Sequence, residues 1–246
     1  MKHRPLLVTL AVVLLLPCAA CNSFPGVYRG ESTVVPPSEI ADFNVLYGQN
    51  CAGCHGVAGK GGAAIALANP VFLAIADDNV IRRIASNGVP GTPMAAFAQS
   101  AGGMLTEKQI DALVSGIRSW ANPNALGHQT PPPYTAPAPG DPQRGADAYR
   151  TYCSSCHGAN GGGGKKAGSI VDGSYLALVS DQQLRTIVIA GRPELGAPDW
   201  RDDVEGRPMS AQEISDVVAW LSSQRSKFPG QPYPISSMNP AQGGLR

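Results

Sequence analysis

Residues 51–55 read CAGCH and residues 153–157 read CSSCH. Each stretch puts two thiols on one helical turn and an imidazole directly after the second thiol. Three ordinary uses of such thiols fit poorly. A disulfide framework needs no histidine after each second cysteine. A zinc site gathers its pairs in one domain, and these pairs stand far apart in the chain. A thioredoxin-like pair sits in a βαβ pattern, and none surrounds either motif. Covalent haem accounts for every residue. The thiols add across two vinyl groups as thioethers, and the neighbouring imidazole binds the iron. The chain therefore reads as holding two haem c groups, one on Cys51, Cys54 and His55, the other on Cys153, Cys156 and His157.

Matching segments must position these residues. EIADFNVLYGQNCAGCHGVAGKGG corresponds to QRGADAYRTYCSSCHGANGGGG, an internal repeat. Tyr47 and Tyr149 each precede the first cysteine by one helical turn, and Asp141–Pro142 reads as a cap followed by proline. Downstream, DDNVIRRIASNG (77–88) and SDQQLRTIVIAG (180–191) each open on a capping residue and close on a glycine. TEKQ (106–109) and SAQE (210–213) are capping boxes. Behind them Ile110, Leu113, Val114 and Ile117, and Ile214, Val217, Val218 and Leu221, keep one apolar helical face. Each unit is helix, motif, glycine loop, short helix, loop, helix. At about 85 residues it is near the lower limit for a self-sufficient core, and a large apolar cofactor would supply the rest.

Each unit resembles a class I c-type cytochrome domain, and the chain resembles a tandem dihaem cytochrome c of a bacterial respiratory chain, over roughly residues 38–122 and 140–226. The implied fold is all-α: two class I cytochrome c domains in tandem, each wrapping one covalent haem. The expected organisation is a signal peptide over 1–20, a tether over 21–38, domain 1 over 39–122, a proline-rich linker over 123–140, domain 2 over 141–227, and an extended tail over 228–246.

The resemblance also implies a methionine opposite each histidine. Met94, in GVPGTPMAAF, stands in the loop between the last two helices of the first unit. Met104 is held in reserve, and beside the helix cap it reads as packing. Aligning Gly191 with Gly88 puts Ala197 where Met94 stands and Trp200 at Phe97. Met209 is then the candidate for the second iron. It also aligns with Leu105, a packing position. Met238 from the tail, a foreign ligand and an open site are the alternatives. His128, in the linker, reads as solvated.

MKHR followed by LLVTLAVVLLL is a basic start and an apolar run too short to span a bilayer with margin, which reads as an export signal. CAAC (18–21) resembles a bacterial lipobox with Cys21 lipidated, although Cys18 stands where leucine is usual. The formal charge of +1 and the absence of a basic run argue against nucleic-acid partners. Removing Lys2 and Arg4 with the signal leaves the basic side chains one short of the acidic ones.

Histidine with thioether favours ferrous iron, and a centre closed on both sides moves one electron and does little else. The expected protein is an electron carrier, not an enzyme, lipid-anchored at the periplasmic face of a bacterial membrane. It would serve redox partners in or on that membrane, as part of a larger complex. The rival reading is a peroxidase-like dihaem enzyme with an open second iron, favoured by Ala197 alone.

Overall fold

The computed structural model describes residues 35–226. The export signal, Cys21 and Met238 lie outside them. Among the described residues there are ten α-helices and no strand. α1 (Phe43–Asn50), α2 (Ala52–His55), α3 (Pro70–Ile75), α4 (Asp78–Asn87) and α5 (Glu107–Arg118) form the first half. α6 (Pro142–Tyr152), α7 (Ser154–His157), α8 (Gly173–Leu178), α9 (Asp181–Ala190) and α10 (Ala211–Ser223) repeat the series. None is long and apolar enough to cross a membrane.

Local signals explain where the helices begin. The side chains of Asp42 and Asp141 accept from backbone amides of the turns they open. Thr106 with Gln109, and Ser210 with Glu213, form complete capping boxes. Asp77 and Ser180 cap α4 and α9, and Gly88 and Gly191 end them. Two short helices were not anticipated. α3 starts at Asn69, whose Oδ1 accepts from Val71 and Phe72, and Pro70 occupies its first turn. α8 starts at Asp172, whose side chain accepts from Ser174 and Tyr175.

In each half the first and last helices pack, and each crossing passes over a glycine. A Cβ on Gly116 would collide with the Phe43 ring, and one on Gly145 would collide with the Asp216 carbonyl. Aromatic rings tighten the same corner. Tyr47 meets Trp120 edge-on at 5.0 Å, and Tyr149 stacks on Trp220 at 4.3 Å. The apolar faces read from the sequence are inside: Ile110, Leu113, Val114 and Ile117 are buried, as are Ile214, Val217, Val218 and Leu221. Each such side chain contributes roughly 1.5–3 kcal/mol relative to exposure.

The halves meet directly. α3 packs on α9, and Asn69 Nδ2 donates to the Ala190 carbonyl at 2.9 Å. The linker lies along the second half. Arg185, 2% exposed, donates to the carbonyls of Pro133 and Tyr134 and to Ser215 Oγ. Gln182 adds a bond to the Tyr134 carbonyl at 2.8 Å, and Gln212 one to Pro139 at 3.1 Å.

Candidate haem sites

Each motif sits at a hinge between two helices. The Cys51 amide donates to the Tyr47 carbonyl at 2.9 Å and ends α1, and α2 then carries the rest of the motif. Cys153 does the same between α6 and α7. The chain leaves each motif through a glycine in the left-handed region, Gly56 at φ 79° and Gly158 at φ 78°. A side chain there would be strained. The two tyrosines lock these exits: the Tyr47 hydroxyl donates to the Gly56 carbonyl at 2.9 Å, and the Tyr149 hydroxyl donates to that of Gly158.

The histidines are oriented alike. His55 Nδ1 lies 2.8 Å from the Ile65 carbonyl oxygen, and His157 Nδ1 lies 2.8 Å from that of Gly168. A carbonyl only accepts, so Nδ1 must carry the proton. Nε2 then keeps its lone pair for a metal, as ligating histidines require. Burial holds His55 below its ordinary pKa. The Ile65 carbonyl opposes that shift and the Arg192 charge adds to it, and the lone pair stays available.

The thiols fit the same use. Burial, then the neighbouring Cys54, pushes Cys51 up to about 11. Burial, then Asp203 and Cys156, pushes Cys153 up to about 12. Both thiols are therefore held in their neutral form. Among the described residues no three of His, Cys, Asp and Glu converge into a metal-binding group, so the thiols do not pool into one zinc cluster. The donor set fits two separately held haem c groups.

The methionines differ in their surroundings. Met94 is half-buried, and its carbonyl accepts from the Val89 amide at 2.9 Å in a turn closed by Thr92. Met209 is 2% exposed inside the hydrophobic core. Met104 does not pack as anticipated: it is 81% exposed, because its loop holds it outside the cap. His128 is exposed.

Two charged residues at these sites escaped the sequence reading. Arg192, from the second half, donates to the Gly62 carbonyl of the first at 2.7 Å and pairs with Glu194 at 2.5 Å. Asp203, beside Cys153, is pushed up to about 7 by burial, with the charges of Asp199 and Asp202 adding. Arg192 left one trace in the sequence, since Val89 holds the aligned place in the first unit.

The family described as "Cytochrome C oxidase, cbb3-type, subunit III" matches residues 38–115 and again 140–221. The chain belongs to this family. It is a c-type cytochrome with two all-α cytochrome c domains and an electron-transfer protein. A cytochrome bc1 complex cytochrome c subunit of Mycobacterium tuberculosis (strain ATCC 25618 / H37Rv) is 24% identical over 206 residues, covering 81% of this chain and 69% of its own. A cbb3-type cytochrome c oxidase subunit CcoP of an Azospirillum species (strain B510) is 30% identical over 138 residues, 52% of this chain and 41% of its own. A chain of the Kuenenia stuttgartiensis reducing HAO-like protein complex overlays at TM-score 0.41 and 20% identity, over 75% of this chain and 96% of its own.

Proposed function

We propose that the chain is a dihaem electron carrier that works as a subunit of a membrane-bound respiratory complex of bc1 or cbb3-oxidase type. Haem c, when bound, supplies a one-electron Fe(III)/Fe(II) couple. The observation that carries the proposal is the doubled C-x-x-C-H motif, each histidine held by a backbone carbonyl at 2.8 Å. Cys51 and Cys54 would anchor the first group and Cys153 and Cys156 the second. His55 and His157 would hold the two irons through Nε2. Met94 would offer its thioether to the first, and such a sulfur would favour the reduced state relative to a second imidazole.

The remaining side chains keep these donors still. Carbonyls fix the rings, the tyrosines hold the loops, and the buried helical faces exclude water, which disfavours the more highly charged oxidised state. Arg192 ties the loop after α9 to the Gly62 carbonyl in the glycine loop of the first site, so the two halves meet there through an ordered contact. Export by residues 1–20 and lipidation of Cys21 would place both centres at the periplasmic face of a membrane.

The test is to purify the full chain from native membranes. The expected result is a mass increase of two haems, a lipid on Cys21, and co-purification with a quinol-oxidising or terminal oxidase complex. A colourless chain would sink the proposal.

A further inference from the structure

The loop that the class I resemblance sets opposite the histidine has one backbone design in the two halves and two different side chains. In the first half Gly88 closes α4, and the next amide, Val89, donates to the Met94 carbonyl at 2.9 Å. In the second half Gly191 closes α9, and the next amide, Arg192, donates to the Ala197 carbonyl at 3.0 Å. The hydrogen bond, and not sequence alignment alone, therefore puts Ala197 in the seat of Met94. A methyl group carries no donor for a metal.

Met209 is just as firmly placed elsewhere. Its amide donates to the Trp200 carbonyl at 2.8 Å, as the Leu105 amide donates to that of Phe97 at 2.8 Å. Each of the two stands directly before the cap of its half's last helix, Ser210 or Thr106. Met209 is 2% exposed and Leu105 is 6% exposed, both within the core. Met209 is thus the second half's version of a packing leucine. Bringing its sulfur to an iron would empty a filled core site, break the bond to Trp200 and pull on the first turn of α10. The remaining described candidates are no better placed. Met104 is 81% exposed in the first half, and His128 is exposed in the linker.

We infer that the second haem site has no side-chain ligand opposite His157, and that Ala197 leaves this position open to a small diatomic ligand of ferrous iron. The inference rests on CSSCH holding haem c. It makes the centre in the second half responsive to a dissolved gas, while the centre closed by Met94 is not. A carrier built this way can have one of its two steps blocked by a diatomic without any change in its partners.

The experiment uses the full-length, haem-loaded chain with its lipid intact. Haem per chain is counted first by the pyridine haemochrome. A count below two sinks the dihaem reading and leaves the ligand question to the loaded fraction. The reduced protein is then titrated with carbon monoxide, and the near-infrared methionine-to-iron band of the oxidised protein is measured per haem. The expected result is one carbon monoxide bound per two haems, and a methionine band at half the intensity of a fully ligated protein. Ala197→Met should double that band and abolish carbon monoxide binding. Met209→Leu, which installs the residue found at position 105, should change neither. The inference is overturned if the wild type binds no carbon monoxide. It is equally overturned if Met209→Leu or Met238→Leu weakens the band or opens a new carbon monoxide site.

Discussion

The two halves repeat one scaffold and differ in what lines it. Both tie histidine Nδ1 to a backbone carbonyl at 2.8 Å, and both lock the exit glycine with a tyrosine hydroxyl. At the matching place in the loop after α4 and after α9, one half has a thioether and the other a methyl group. The first half receives an arginine from its neighbour, and the second keeps a half-buried carboxyl of its own, Asp203. Keeping the frame while varying its lining would let one fold give the two proposed centres unlike potentials.

The sharpest way to break the comparison is to remove one centre. Cys153→Ala with Cys156→Ala should halve the haem absorbance and the added mass, because the first half keeps its own thiols and histidine. Loss of both haems would show that the halves do not load independently.

Next in size is helix crossing. Gly145→Ala should cost more than Gly116→Ala, with the first in the range of about 1–3 kcal/mol typical of overpacking. The atom met at Gly145 is the backbone carbonyl of Asp216, whereas at Gly116 it is the Phe43 ring, which can turn. Denaturant midpoints of the two variants decide the order.

Smaller still is the effect of Asp203. Its folded-state pKa is raised from 3.8 to about 7. The folded chain therefore holds this proton where the unfolded chain has lost it, and stability falls as pH rises through that window. Asp203→Asn should raise the thermal midpoint at pH 8 and leave it unchanged near pH 3. Ionisation also places a negative charge near Cys153, so the second midpoint potential should drop as pH passes 7. The variant should flatten that slope. An unchanged slope would remove Asp203 from the account.

The smallest effect belongs to Arg192→Ala. It deletes a cation close to His55, one that Glu194 already partly balances. The first midpoint should fall slightly and the second should move less. A larger shift at the second centre would reverse the assignment of this side chain to the first.

Much of this was legible in the sequence because it is local. Capping boxes, cap-then-proline starts and closing glycines act within a turn, and the structure places them as read. α3 was missed although Asn69–Pro70 carries the same signal as Asp141–Pro142, since six residues give too little periodicity to register. α8 is equally short. Which first-half residues Ala197 and Met209 match rests on the carbonyls that the Arg192 and Met209 amides reach, those of Ala197 and Trp200, and spacing alone does not encode them. Arg192 reaching Gly62, and Arg185 reaching Pro133, join residues far apart in the chain, and nothing in a repeat pattern encodes such pairs. Exposure misled at Met104, where adjacency to a cap suggested burial.

The stapling of the linker bears on how the protein tolerates cutting. From Pro133 onward the connector is fastened to the second half by Arg185, Gln182 and Gln212, and the halves hold one another through Asn69 and Arg192. Gly127 is exposed and left-handed, and the residues 127–130 that begin with it are exposed. A protease nick there severs the covalent thread and leaves the non-covalent seam, so both coloured fragments should travel together through a sizing column.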